Sequence, residues 1–337
     1  MSNKNPKNRS NGLNHSQRDV QSEEPAFPVS ISKVGITNVH KIIERERFGK
    51  VNVLSATIDV YVDLPASRRG IHMSRGTEVI NEVIESAISK KISDCEILCE
   101  QIARESLKCQ DKATRAEVVM KADYALPRVT PATKKTIQST YDLYASAIAE
   151  REGSAIIVRR MIGVGVIGLT ACPCGQQLSI DYAKELLKQE GFTGEQIHFV
   201  ATNLPFLTHT QRGKSILKVW LPSGDFRVEA DELIKIIENA VSSPTYELLK
   251  RADERYVILS ANQHPVFVED VIRNMLDGVL KLYSHLPAET FIIARQENYE
   301  SIHKHNAFAE QKITLEKLKN EANNNHDNYV DFQDSTG

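Results

Sequence analysis

The stretch S-A-I-I-V-R-R-M-I-G-V-G-V-I-G-L-T-A-C-P-C-G, Ser154–Gly175, admits two readings that lead to different folds. Its centre, Gly163-Val-Gly-Val-Ile-Gly168, matches G-x-G-x-x-G, the pattern that seats a dinucleotide pyrophosphate in a doubly wound α/β sheet. That chemistry needs a strand before the glycines and a helix opening directly after them, so that backbone N–H groups face the phosphates. Here the glycines lie within an alternating apolar run that ends in a proline-broken loop. They are read as small residues in a packed strand, and the cofactor reading is rejected. Ala113–Leu126 and Lys135–Arg151 carry the same alternation, rich in Thr, Val, Tyr and Ile. Three such runs with few tight-turn signals predict an antiparallel sheet. The fold class is therefore α+β.

Outward from that sheet the pattern alternates between strands and helix pairs. Lys50–Leu64 reads as a half-buried strand. Apolar spacing predicts helices over about Glu78–Lys90 and Asp94–Lys108 before the three long runs. Beyond them come a helix over Gln176–Gly191, with Gly191 as its C′ glycine, and a strand over Lys214–Leu221. Helices over Glu229–Val241 and Pro265–Tyr283 and a strand over Thr290–Gln296 follow. The second half repeats the first in outline without any residue-level repeat. This divides the chain into a first module, 29–165, and a second, 166–319. Residues 1–28, rich in Asn, Ser, Lys and Gln, read as a disordered tail, and 320–337 as a flexible one.

Composition narrows the class. The chain has 337 residues, 41% hydrophobic and 26% charged, with a formal net charge of −2. That balance gives no electrostatic case for nucleic acid or an anionic membrane. No apolar run reaches spanning length and no signal peptide is evident. Five cysteines, an odd number, argue against a disulfide framework and for a reducing cytoplasm.

The chemistry-bearing residues gather around the end of the opening stretch. Cys172 and Cys174 flank Pro173, which places both thiols at a strand end. Half a zinc ribbon would need a second close pair, and Cys95, Cys99 and Cys109 do not supply it; the first two lie four apart on a core helix, where a free cysteine packs as a small hydrophobe. His209 sits in the polar loop T-H-T-Q-R-G. His303 and His305 form I-H-K-H and, if extended, share a face. A thiolate with imidazoles and a carboxylate suits Zn²⁺ or Fe²⁺, and the residues alone leave a metal site at Cys172, His209 and His303 balanced against scattered polar residues. The carboxylates stay open: L-K-R-A-D-E, ending at Glu254, also reads as a solvated helix end, and Glu269 in P-V-F-V-E-D as an acid favoured by a helix macrodipole.

Taken together, A-C-P-C, H-x-Q-R-G at His209, S-S-P-x-Y-E-L-L-K-R-A-D-E at Ser242–Glu254, P-V-F-V-E-D at Pro265–Asp270, E-S-I-H-K-H at Glu300–His305 and R-G-I-H-M-S-R at Arg69–Arg75 resemble the metal-dependent GTP cyclohydrolases, the type IB enzymes and their archaeal relatives in methanopterin synthesis. The resemblance runs from about residue 30 to 315. It implies a tunnelling fold of two tandem modules, each of antiparallel strands with a helix pair, assembled as a homotetramer with active sites at interfaces. It implies Cys172, His209, Glu254 and His303 as ligands of one Fe²⁺ per subunit, with Zn²⁺ or Mn²⁺ as alternatives. Glu269 would anchor the guanine, a bidentate task that suits a carboxylate. Metal-activated water would attack C8 of GTP, release formate and form a dihydropterin, with His305 as proton shuttle beside the catalytic Cys172 and with Cys174 either supporting the ligands from behind or simply adjacent. Arg69, His72, Arg75, Arg212 and Lys214 are the cationic candidates for the triphosphate.

The long insert between Cys172 and His209 resembles the archaeal branch. That branch implies 7,8-dihydroneopterin 2′,3′-cyclic phosphate and pyrophosphate as products, where the bacterial type gives the triphosphate. A nitrile reductase of the same superfamily, or a non-catalytic purine- or metal-binding protein, are the more distant readings.

Overall fold

The computed structural model describes residues 19–47, 50–90 and 94–330. Its strands form one antiparallel sheet in the order β1 (Ile31–Arg47), β2 (Lys50–Leu64), β3 (Arg115–Val129), β4 (Thr136–Glu152), β5 (Ala155–Ala171), β6 (Thr210–Leu221), β8 (Phe291–Asn298) and β9 (Ala307–Thr314). The two-residue β7 (Ser243–Pro244) pairs with the far end of β5. Helices α1 (Met73–Lys90) and α2 (Cys95–Cys109) stand between β2 and β3. The second half holds α3 (Pro173–Gln189), α4 (Gly194–Asn203), α5 (Ala230–Ala240), α6 (Arg251–Gln263) and α7 (Val268–Tyr283), and α8 (Leu315–Val330) closes the chain. Each half is two strands, a helix pair on the sheet, and two more strands, so the α+β tunnelling-fold reading holds. The halves meet at the Gly153 turn, where φ is +62°; position 165/166 lies within β5.

The opening stretch is strand from Ala155 through Ala171, and the glycines of that strand have packing reasons. On β5 alternate residues face the helices: Val158, Ile162, Val164 and Val166 are buried there. Gly163 and Gly165 face the other way. A Cβ at Gly163 would meet the Lys218 stem, and one at Gly165 would come 3.0 Å from Asp142 Oδ2. Without those side chains, Lys218 reaches over β5 to place its Nζ 4.6 Å from the Tyr144 ring, and Lys214 Nζ reaches Asp142 Oδ2 at 2.6 Å. Burial and the neighbouring Arg295 lower the Lys218 pKa. Gly168 lies against Val241.

The core is continuous across both halves. From the first half, α2 reaches β5: Arg104 donates to the Ile156 carbonyl at 3.0 Å and Glu100 pairs with Arg160 at 3.4 Å. From the second, α5 is gripped by β3 and β4. Tyr124 donates to Asp231 at 2.6 Å and Tyr141 to Glu238 at 2.9 Å, while Arg128 pairs with Glu238.

Two segments depart from the sequence reading at the chain ends. Of the expected N-terminal tail, residues 1–18 lie outside the described residues. Val20–Ser22 form a short 3-10 turn that, with Glu23, binds the β2–α1 loop: Arg69 N–H donates to the Glu23 carbonyl at 2.9 Å and Gly70 N–H to the Gln21 carbonyl at 3.2 Å. Asn320–Val330 is the continuation of α8, and residues 331–337 lie outside the described residues.

Candidate active site

Strand direction sorts the candidates between the two ends of the sheet. β5 finishes and β6 begins at one end, where Ala171 pairs with Thr210. The β3–β4 loop, α6 and the β8–β9 loop share that end, and the β2–α1 loop stands at the other.

Cys172 leaves β5 and caps α3. Its backbone N–H donates to the His209 carbonyl at 3.2 Å, and its Sγ accepts from Gly175 N–H at 3.3 Å. The cap moves the start of the helix forward to Pro173, since proline suits the first helical position. Gly175 is wedged between thiol and imidazole. A Cβ there would overlap the Thr208 hydroxyl and lie 3.2 Å from His209 Cδ2 and 3.6 Å from Nε2. The sequence pair Cys172 and His209 is thus brought together.

The orientation of His209 is set from behind. Its Nδ1 lies 3.1 Å from Gln211 Oε1, and Gln211 Nε2 donates to the Thr170 hydroxyl at 2.9 Å. An amide oxygen only accepts, so Nδ1 carries the proton and Nε2 offers its lone pair toward the Gly175 side. Gln211 and Thr170 are both buried. Ser301 Oγ, 3.4 Å from the same Nδ1, ties the β8–β9 loop to the site. In that loop His303 and His305 are exposed, with rings stacked at 5.0 Å. They lie in a bend, since one strand stops at Asn298 and the next begins at Ala307.

The acids resolve into pairs in which the aspartate holds structure and the glutamate projects. Asp253, fully buried, accepts from Ala132 N–H at 2.9 Å, Thr133 N–H at 2.8 Å, the Thr133 hydroxyl at 2.6 Å and Lys250 N–H at 3.0 Å. Burial alone would raise its pKa; the hydrogen bonds, led by the Thr133 hydroxyl, outweigh it and hold the carboxyl far below the ordinary range. Glu254, next to it, is exposed on the first turn of α6. Asp270 caps α7 by accepting from Phe267 N–H at 3.1 Å, which leaves Glu269 exposed and free of the helix-end task. The segment before α7 reaches the thiol end directly, since Val266 N–H donates to the Ala171 carbonyl at 3.1 Å.

Other candidates stand further off. α6 contacts the site through its other end, where Asn262 Oδ1 accepts from Thr208 N–H at 2.9 Å. Glu254 is eight residues back along the helix, roughly 12 Å at 1.5 Å per residue. Among the described residues no three His, Cys, Asp or Glu side chains converge as a metal cluster, so Glu254 and His303 are not drawn to Cys172 and His209 in the single chain. Arg212 is exposed beside the site, while Lys214 is engaged by Asp142. Arg69, His72 and Arg75 are at the opposite end of the sheet. Leu64 lies level with Ile156 through the register of β2 to β5. Cys172 is therefore roughly 50 Å of strand away, at about 3.3 Å per residue. There Arg69 lies 3.7 Å from Glu23, and His72 lies 3.7 Å from Asp19.

The donor set fits a borderline divalent ion in part: a thiol, an imidazole with the correct tautomer, and the Thr208 hydroxyl buried without a hydrogen-bond partner beside them. Reading the sequence missed Gln211, Thr170 and Asp253, although Gln211 stands inside H-x-Q-R-G. The signal available was the alternation of β6, which turns Gln211 inward beside a histidine at the strand's mouth.

Comparison with known proteins finds the following matches. The family described as Type I GTP cyclohydrolase folE2 matches residues 18–309. GTP cyclohydrolase MptA of Methanococcoides burtonii is 41% identical over 309 residues, covering 91% of this chain and 97% of that protein. The MptA of Methanothermobacter thermautotrophicus is 41% identical over 304 residues, 90% and 95% of the two chains. Among solved structures, uricase from Bacillus fastidious superposes with a TM-score of 0.49 at 10% identity, over 87% of this chain and 96% of that one.

Proposed function

The chain belongs to the type I GTP cyclohydrolase family, and from that premise we infer that it is a GTP cyclohydrolase of the methanopterin pathway. The observation that carries the chemistry is the Cys172–His209 pair, set at the N-terminus of α3 with Nε2 turned toward the thiol side. Cys172 and His209 hold two positions of a metal site, and His303 and Glu254 complete it. His303 needs only a rearrangement of the exposed loop that Ser301 already ties to His209, and Glu254 needs α6 to shift or a second copy to supply it. A divalent ion bound there, Fe²⁺ with Zn²⁺ or Mn²⁺ as alternatives, supplies a nucleophilic water at neutral pH.

The remaining roles belong to side chains. Glu269 accepts hydrogen bonds from the guanine N1–H and exocyclic amine and orients C8 toward the thiol end. His305, stacked on His303, moves a proton between the water and the ring nitrogen released as the imidazole opens. Arg212 meets the triphosphate from the same chain. Arg69, His72 and Arg75 stand too far away to do so, and serve the site of a neighbouring copy. The protein accordingly works as a homo-oligomer, a homotetramer on the family pattern, with each site shared between subunits. The setting is the cytoplasm, where the free cysteines stay reduced; no described helix is long and apolar enough to cross a membrane.

The products are formate, 7,8-dihydroneopterin 2′,3′-cyclic phosphate and pyrophosphate. Anaerobic incubation with GTP and Fe²⁺, followed by a formate assay and mass analysis of the pterin, tests this. Triphosphate in place of the cyclic phosphate transfers the protein to the bacterial-type reaction. Absence of formate with every divalent metal overturns the activity.

A further inference from the structure

The α3–α4 hairpin has no residue buried in either helix. Helices of this length are marginal in water on propensity alone and take most of their stability from an apolar face packed on something else. The apolar face is present. Leu178, Tyr182 and Leu186 recur every four residues along α3 and are 71%, 70% and 45% exposed, and Phe192 and Phe199 add 45% and 62% from the turn and α4. Aromatic side chains bury about 150–250 Å² each, so at these exposures the five side chains offer a few hundred Å², a large share of the ~800 Å² per partner of a standard interface. A monomer rarely leaves such a stripe open to water.

The hairpin is also rooted in the site. Cys172 is the cap of α3, and α4 returns through Phe206, whose carbonyl accepts from Gln176 at 2.9 Å, to Thr208 and His209. Whatever covers the start of the hairpin therefore lies beside the thiol and the imidazole. On the reading given under Proposed function, the cationic Arg69–Arg75 segment can reach that end only from another copy of the chain.

We propose that the α3–α4 hairpin is an arm that docks its Leu178–Tyr182–Leu186 face on a second copy of this chain, and so brings that copy to the Cys172–His209 end. The proposal rests on the composite-site reading and is separable from it.

The test is light scattering over a dilution series on the full-length wild type and on Leu178→Asp/Tyr182→Asp. Circular dichroism confirms that the variant folds, and Phe199→Asp probes the second helix independently. Two buried anchors replaced by charges should weaken the association at least a hundredfold, so that the variant falls to a smaller species at concentrations where the wild type stays assembled. Hydrogen exchange of residues 173–203 should be slow in the wild type and fast in the variant. An unchanged mass with unchanged exchange overturns the arm. A monomeric wild type that still releases formate overturns the arm and keeps the cyclohydrolase activity. An oligomer that dissociates as expected but never releases formate keeps the arm and removes the activity.

Discussion

At the scale of single residues, adjacent acids divide the labour. Asp253 and Asp270 make the hydrogen bonds that start α6 and α7, and their neighbours Glu254 and Glu269 are left exposed. Asp253→Asn tests the first pair. A carboxyl whose pKa is depressed in the fold contributes stability that is present above its unfolded value, near 4, and lost as pH falls toward the folded value. Wild-type stability should therefore decline below about pH 4. The Asn variant should be less stable at pH 7 and flatter over the acid limb, as measured by urea midpoints across pH. Gln211→Leu tests the orientation of His209. Without its acceptor the imidazole loses its fixed tautomer, and metal affinity should fall about 10–100-fold, read by titration with Zn²⁺. Full affinity in that variant would remove the positioning role. The motif H-x-Q-R-G was legible as a string of donors, but which one faces the imidazole depends on the inward alternation of β6.

At the scale of elements, pattern reading worked where one face is buried and faltered where none is. β2 and β5 are legible because apolar residues alternate over Leu54–Leu64 and Ile162–Val166. The start of α6 reads in sequence only as a solvated helix end, and α4 and β9 leave no mark in the pattern. α4 buries nothing, β9 buries little, and α6 is held partly by Asp253 reaching across to the β3–β4 loop. Periodicity reports burial, and elements stabilised by caps or by an edge carry little of it. Leu217 on β6 is fully buried. Leu217→Ala should cost about 2–5 kcal/mol by calorimetry. Gly213, one residue beyond Arg212, has Glu297 O 3.0 Å from where a Cβ would stand, with the Gln296 amide overlapping it. Gly213→Ala should cost about 1–3 kcal/mol and disturb the end of the strand that carries His209.

At the scale of the whole molecule, the two halves are one sheet and one core, locked by α2 on β5 and α5 on β3 and β4. That rigidity keeps the Arg69–Arg75 segment at the end of the sheet opposite Cys172. A composite site then makes a mixing prediction. Arg69→Ala and Cys172→Ala should each be nearly inactive as pure proteins. Refolded together they should regain roughly a quarter of wild-type formate release, since random pairing rebuilds that share of shared sites. Mixtures that stay inactive would mean that each site is built within one chain.

An α+β antiparallel chain with a thiol at a strand end and the motifs of a GTP cyclohydrolase can be read from the residues alone, because alternation, proline and short motifs are local properties of the chain. Which candidates meet follows from the folded sheet. Cys172 and His209 are joined by the pairing of β5 with β6, while Arg69 and Cys172 are held apart by the length of the strands between them. Spacing along the chain carries no information about either, because distance in a sheet is set by register and strand direction.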